Sequence, residues 1–327
     1  MMTPEKRKKI CHQLVSTINA NTTFFLSGHH TPDGDTVASE LAMASLLKRL
    51  GKKVDIYNAA PVPESLMFLP GTKTIKTSRK VTKHYDVAIV FECVNEARMG
   101  NLIKLDTQAK TVINIDHHLK HSFFGDINFV NVHASSNSEQ LFYVFEAFKM
   151  PINKAEAACL YTGIIADTGR FQYSNTNPET LRIASHLLAC GAQPHVLSEA
   201  LYGKKSYPAT KLLAIALNNL KLTADKKIAY IELTPADFAR ANAAEDETDE
   251  IVNYGTFLPG VLMSILFRKF DNASQIKVSF RSKLHVNVCA LSEQFGGGGH
   301  KYAAGCKLNA SLKKAVPIVL RAAQKSI

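Results

Sequence analysis

Asp116, His117 and His118 stand together directly after Thr111-Val-Ile-Asn-Ile115, a β-branched run that predicts a buried strand. An acid and two imidazoles therefore leave a strand at its carboxyl end, the edge at which open α/β sheets bind their ligands. Oxygen and imidazole donors of this kind ligate divalent cations. Taken alone, the triplet reads better as a solvated loop with incidental histidines. Three further stretches answer it.

The first is Gly28-His-His-Thr-Pro-Asp-Gly-Asp35, which follows the strand pattern Thr22-Thr-Phe-Phe-Leu26 and Ser27. Val37, Leu41, Ala44 and Leu47 then fall at helical spacing, so His29, Asp33 and Asp35 occupy a strand-to-helix loop. Pro32 and Gly34 supply its restricted and permissive backbone. Asp35 as a helix N-cap and Asp33-Gly34 as a turn would explain the acids one at a time, but not His29 beside them. The second is Tyr85-Asp-Val-Ala-Ile-Val-Phe91, a strand that delivers Glu92 to the same edge, with Arg98 six residues on. A capping acid and a surface charge are the competing readings. The third is an Ala-rich helical segment from Lys154 that ends in Asp167, where the helix dipole disfavours an acid. A bound cation would compensate it, as would screening by water.

His29, Asp33, Asp35, Glu92, His117 and Asp167 make an oxygen and nitrogen set without sulfur. Such a set suits Mn²⁺ or Mg²⁺, with Zn²⁺, Co²⁺ and Fe²⁺ also within its range. So many ligands exceed what one catalytic ion with an open position takes. They suit two ions, roughly 3.5–4 Å apart and sharing a carboxylate, as in two-metal phosphoester hydrolysis.

The remaining elements must position these residues. Pro4 to about Ala20 predicts a packing helix through Ile10, Leu14, Val15 and Ile18, and Lys53-Val-Asp-Ile-Tyr57 a further strand. Ser136 with Glu139 fits a capping box opening a helix that runs to about Lys149. This alternation predicts an α/β fold, a doubly wound, mostly parallel sheet, over 1–190. A helical linker is placed at 191–222, with a Leu-rich helix from Thr210 to Leu222. A smaller α/β domain is predicted over 223–327. In it, Lys227-Ile-Ala-Tyr-Ile-Glu-Leu233 reads as a strand, and the acidic run Glu245–Glu250 as the first turn of an apolar helix. Asp271-Asn272 reads as the turn of a hairpin between Gly260–Phe267 and Gln275–Phe280. Gly296-Gly-Gly-Gly-His300 follows, where glycines without Cβ let backbone N–H groups approach an anion; a flexible hinge is the competing view. Arg281 and His300 would add positive charge and a donor there.

The 327 residues carry a net charge of +11, which favours nucleic acid, nucleotides or other phosphates as partners, with plain solubilisation as the alternative. Six scattered cysteines without a C-x-x-C pair predict reduced thiols. No stretch approaches the ~20 apolar residues of a membrane span, and no apolar core follows the charged amino terminus. A soluble cytoplasmic protein is expected.

The order His29-x-x-Pro-Asp-x-Asp35, an acid after an apolar strand, Asp116-His-His118, then Asp167 after an apolar helix resembles the DHH phosphoesterase superfamily. Ser279-Phe-Arg-Ser282 and the glycine run resemble that family's DHH-associated C-terminal domain, so the resemblance spans nearly the whole chain. The two-domain layout looks most like the bacterial NrnA-type oligoribonuclease and phosphoadenosine-phosphate phosphatase group. The resemblance implies two divalent ions, Mn²⁺ foremost with Mg²⁺ or Co²⁺ as alternatives. It assigns His29 and Asp33 to one, Asp35, His117 and Asp167 to the other, and Glu92 to the bridge. His118 would touch the scissile phosphate, and Asp116 would orient a metal-bound histidine from behind. Arg98 would bind substrate phosphate, while Arg281, Ser282, Gly297, Gly298, Gly299 and His300 would hold the nucleotide end. A homodimer is also implied. Two positions depart from the pattern. Glu92 stands where the family has aspartate, so a bridge through it sits displaced or one-sided, and Asn137 stands where threonine is frequent.

The expected function is a phosphodiesterase degrading very short RNA to mononucleotides, with removal of the 3′-phosphate of phosphoadenosine phosphate as a second activity. Two readings compete: a phosphodiesterase for cyclic or linear dinucleotides, and a nucleotide-binding protein whose metal site Glu92 impairs.

Overall fold

Strand β1 (Thr23–Ser27) is Thr-Phe-Phe-Leu-Ser, buried at every residue after the first. A strand with no wet face must lie inside a sheet covered on both sides. The computed structural model describes residues 2–119, 121–203, 205–248, 250–270, 275–283 and 285–327. It divides into two units, Met1–Lys204 and Lys205–Ile327.

In the first unit β1 follows α1 (Pro4–Ala20) and precedes α2 (Gly34–Arg49), β2 (Lys53–Asn58), β3 (Ile75–Thr77), β4 (Tyr85–Phe91) and α3 (Leu105–Gln108). Then come β5 (Ala109–Asp116), β6 (Ile127–Val130), α4 (Asn137–Phe148), α5 (Lys154–Asp167), α6 (Pro178–Ala189) and α7 (Pro194–Tyr202). The strand order is β3-β2-β1-β4-β5-β6, and every pairing is parallel. The chain moves outward from β1 to β3, then returns to the other side of β1 with β4. The order thus reverses between β1 and β4, and the crevice beyond their carboxyl ends is the ligand position of such a sheet.

Two apolar layers cover the sheet. Phe24, Leu26, Ile89, Phe91, Ile113 and Ile115 pack against α2, α4 and α5, while Phe25, Ala88 and Val90 pack against Val81, Met99 and Leu102. Helix α2 is buried nearly all round, because it lies between the sheet and the other helices. Asp35 is one of its buried residues, which no amphipathic pattern would place there.

The second unit holds α8 (Tyr207–Asn218), β7 (Lys221–Leu222), β8 (Ile228–Leu233), α9 (Pro235–Ala241), α10 (Asn253–Thr256), β9 (Met263–Lys269), β10 (Ile276–Ser282), α11 (Val288–Glu293), β11 (Gly298–His300), β12 (Ala303–Leu308) and α12 (Leu312–Gln324). Its sheet runs β11-β12-β10-β9-β8-β7 and is mixed: β8 and β9 pair in parallel, the other neighbours antiparallel. The stretch 191–222 is shared between the units, with α7 packing on α5 and α8 on α9. The acidic run Glu245–Glu250 does not open a long apolar helix. Only the four-residue α10 follows it, and Pro259-Gly260 then ends any helical continuation. The expected turn at Asp271-Asn272 lies outside the described residues, though β9 and β10 do pair antiparallel. Among the described residues no helix is long and apolar enough to cross a membrane.

Candidate metal centre

Each candidate of the first unit sits where a sheet strand or a helix ends. His29 and Asp33 lie in the loop after β1, Glu92 directly after β4, Asp116 at the end of β5 with His117 and His118 beyond it, and Asp167 at the end of α5. Asp33 is the N-cap of α2, its Oδ1 accepting the Thr36 N–H at 3.0 Å, so the capping role that is the competing reading of Asp35 belongs to Asp33. Asp35 instead accepts the N–H groups of Asn137 and Ser138 at 2.5 and 3.0 Å, the first turn of α4. Those donors have no partner within their own helix, and the helix dipole favours the carboxylate. Asn137 also donates its Nδ2 to the Ile115 carbonyl at 2.8 Å, tying α4 to β5. Gly163 makes the remaining room, since a Cβ there would overlap Asp35 and Ser138.

Glu92 holds a left-handed backbone, φ 58°. This is an uncommon conformation for glutamate, and one that clusters at functional sites. Its N–H donates to the Ile115 carbonyl at 3.2 Å. Asn114, on β5, clamps the next residue by donating to the Cys93 carbonyl at 3.2 Å.

One donor atom from each of Asp35, Glu92, His117 and Asp167 falls within 4.8 Å of all the others, and the same holds for Glu92, His117 and His118. His117 Nε2 lies 2.9 Å from Asp167 Oδ2 and 3.5 Å from Glu92 Oε1. Its Nδ1 faces the Ala134 carbonyl at 3.3 Å; a carbonyl only accepts, so the ring proton sits on Nδ1 and Nε2 turns to the acids. His29 and Asp33 pair with each other at 3.4 Å and belong to neither group. Asp116 does not hold the ring of His117. Its Oδ1 accepts the backbone N–H groups of His117 and His118 and the Nδ1–H of His118, at 2.7, 3.0 and 2.7 Å.

Electrostatics shows what the cluster lacks. Burial raises the Glu92 carboxyl well above its ordinary range, with Asp35 and Asp167 adding to the rise against His117. Burial likewise lifts Asp167 to about 7, opposed by His117. Burial would lower His117, but the charge of Glu92 and the contact with Asp167 outweigh it and raise the imidazole well above its usual value. Three carboxylates thus share one imidazole in a dry site, and the buried Glu92 Oε1 and Asp167 Oδ2 make no hydrogen bond among the described residues. A deficit of positive charge with inward-facing oxygen and nitrogen donors fits a divalent cation.

Arg98 lies in the loop after β4, its carbonyl accepting the His30 N–H at 2.7 Å and so joining two site loops. Its buried Nε makes no hydrogen bond among the described residues. His118 is disfavoured as a cation by burial, and by Arg98 and His117, against the pull of Asp116. His121 was not singled out in the sequence. Its side chain is nearly buried and its Nε2 faces Asp116 Oδ2 at 3.3 Å. The signal was present as a third histidine three residues beyond Asp116-His-His118.

In the second unit, Arg281 and Ser282 end β10, beside Ala303 of β12 and Met263 of β9. Arg281 Nη1 donates to the Phe280 carbonyl at 3.0 Å, its buried Nε has no partner among the described residues, and Ser282 Oγ donates to the Val286 carbonyl at 2.8 Å. The glycine run is neither a free loop nor a hinge. Gly298–His300 is the edge strand β11, paired with Ala303–Gly305. Gly297 is packed so tightly that a Cβ would overlap the Gly305 carbonyl, whereas Gly298 faces open space. His300 is described through its backbone alone.

Comparison with known proteins agrees with this division. The DHH family N-terminal domain matches residues 23–164, and the DHHA1 domain matches 225–327. The bifunctional oligoribonuclease and PAP phosphatase NrnA of Thermus thermophilus is 30% identical over 305 residues, covering 93% of this chain and 90% of that protein. The protein of the same name from Bacillus subtilis is 27% identical over 301 residues, covering 90% and 92%. Among solved structures, an exopolyphosphatase-related protein from Bacteroides fragilis superposes with a TM-score of 0.90 at 25% identity, covering 97% of this chain and 96% of that one. The chain therefore belongs to the DHH family, an amino-terminal DHH domain followed by a DHHA1 domain, and is a hydrolase of that family.

Proposed function

We propose that the chain is a two-metal phosphodiesterase that degrades short oligoribonucleotides to mononucleotides and also removes the 3′-phosphate of 3′-phosphoadenosine 5′-phosphate. The observation that carries the reading is the dry, cation-deficient grouping of Asp35, Glu92, His117 and Asp167 at the switch point of a parallel sheet. The names of the NrnA relatives support the substrates. Asp35, His117 and Asp167 would hold one ion, His29 and Asp33 the other, with Glu92 between them; Mn²⁺ is proposed, with Mg²⁺ or Co²⁺ as alternatives. Bound there, divalent ions supply Lewis acidity toward a phosphoryl oxygen and lower the pKa of a water molecule.

The chain's own groups do the rest. Arg98 offers an unsatisfied guanidinium Nε near His118, suited to a phosphate oxygen. Asp116 fixes the His118 ring through Nδ1, so any proton or hydrogen bond His118 gives to the phosphate passes through Nε2. Arg281, Ser282, Gly297–Gly299 and His300 are the proposed grip on the nucleotide end. Six free cysteines support a reducing, cytoplasmic setting.

Turnover of a dinucleotide, a pentanucleotide, phosphoadenosine phosphate and cyclic di-AMP with Mn²⁺ tests this. Release of mononucleotide from the linear substrates is expected. Faster hydrolysis of the cyclic dinucleotide than of its linear product would replace the substrate assignment. Nucleotide binding without hydrolysis under Mn²⁺, Mg²⁺ or Co²⁺ would leave a binding protein.

A further inference from the structure

His121 is a buried polar ring that neither the metal grouping nor the proposed phosphate contacts require. Its plane stacks on Phe124, centroids 6.1 Å apart at 10°, and tilts against Phe123 at 5.0 Å. A hydrophobic ring would satisfy that packing equally well, so the two nitrogens need their own account. Nδ1 accepts the Phe123 backbone N–H at 2.8 Å. A ring nitrogen that accepts carries no proton, so the neutral ring has its proton on Nε2. Nε2 faces Asp116 Oδ2 at 3.3 Å, and Asp116 is fully buried. The other oxygen, Oδ1, takes the backbone N–H groups of His117 and His118 and the His118 Nδ1–H. The carboxylate is therefore divided: one oxygen serves His118, and the other meets His121.

We propose that His121 is a positioning residue that acts through Asp116: it sets the rotation of the carboxylate and thereby holds the His118 ring in its working orientation. The unit extends from Asp116-His-His118 to Asp116-His-His-x-x-His121. The role of His118 at the phosphate rests on the function proposed above; the geometric part does not. Without Nε2, the buried Oδ2 loses the N–H that faces it, and the carboxylate is free to rotate away from His118 Nδ1. His121→Phe keeps a ring on Phe124 but removes both nitrogens. His121→Gln keeps an N–H donor at a comparable reach.

The experiment uses full-length wild type, H121F and H121Q, with three readouts: kcat and KM on a dinucleotide with Mn²⁺, the Mn²⁺ dissociation constant, and the ¹⁵N shifts of the His118 ring. H121F is expected to lose about 10- to 100-fold in kcat, the usual cost of removing such an outer partner, with KM and Mn²⁺ affinity within about twofold. Its His118 ring shifts should move toward mixed tautomers, and H121Q should restore both the shifts and most of kcat. Unchanged His118 shifts in H121F overturn the proposal, as does a kcat loss that H121Q fails to restore. A wild type that hydrolyses none of the substrates sinks the proposed function instead, while the ring-shift comparison still decides the positioning role.

Discussion

The two units bring their candidate residues together by opposite routes. In the first, Asp35, Glu92, His117 and Asp167 come from four separate places along the chain and meet where strands β4 and β5 end beside α2 and α5. In the second, Arg281, Ser282 and the glycine run fall within some twenty residues of sequence: Arg281 and Ser282 end β10, the glycine run leads into β11, and only β12 lies between those strands in the sheet. A charge-dense cluster needs deep burial and outside helices to hold it, as when α4 receives Asp35. A grip on an anion needs only one cation and an open strand edge. The lesson is that chemistry should fail completely when the first set is broken, and affinity alone should fade when the second is.

The largest effects fall in the first unit. His117→Ala and Asp167→Ala, and likewise Asp116→Ala, should each lower kcat on the order of a thousandfold or more, with unchanged circular dichroism, because several kcal/mol of transition-state charge stabilisation depends on them. A retained rate in His117→Ala would break the contrast between the units outright.

Metal removal comes next. Without a cation, Asp167, Glu92 and His117 all have folded pKa values above their ordinary ones. Groups of that kind stabilise below the unfolded pKa, and the contribution is lost as pH rises through the folded one. The melting temperature of chelator-treated protein should therefore fall between about pH 4 and 7 through Asp167, and Mn²⁺ should restore it near neutrality by mass action. A chelated protein that melts at one temperature across that window would show that the acids do not face one another.

Arg281→Ala should raise the nucleotide KM about tenfold, equivalent to roughly 1.4 kcal/mol, with kcat retained. Equal losses on a small phosphoester lacking a nucleoside would erase the distinction between grip and chemistry. Glu92→Asp should raise activity or tighten Mn²⁺ binding by a few fold without loss of melting temperature, because aspartate tolerates the left-handed backbone at this position better than glutamate. Unchanged turnover and metal affinity would show that the extra methylene costs nothing. The smallest difference separates two adjacent glycines. Gly297→Ala should cost about 1–3 kcal/mol of stability by forcing β12 aside, whereas Gly298→Ala, facing open space, should leave the melting temperature nearly unchanged.

Much of this was legible in the linear chain. Apolar runs ending in Glu92 and Asp116, and a helix ending in Asp167, place acids at element ends by periodicity alone. Strand and helix alternation gives a parallel sheet, because parallel strands need crossovers. Side-chain partners were not legible. Capping its own helix is the competing reading of Asp35, and the carboxylate instead serves the start of α4, about a hundred residues later. The acidic run Glu245–Glu250 reads as a helix start, yet only four helical residues follow it before the turn at Pro259-Gly260.

Residue types and their order, by themselves, determined which groups could do chemistry and which elements would carry them, because propensity and hydrophobic period are local properties. Only the tertiary structure decided that His117 turns Nε2 to Asp167, that Asp116 Oδ1 takes the His118 Nδ1–H while Oδ2 faces His121, and that Glu92 is held at φ 58°. Those facts depend on hydrogen bonds and burial between segments far apart in the chain, and no local pattern encodes which distant N–H a carboxylate will meet.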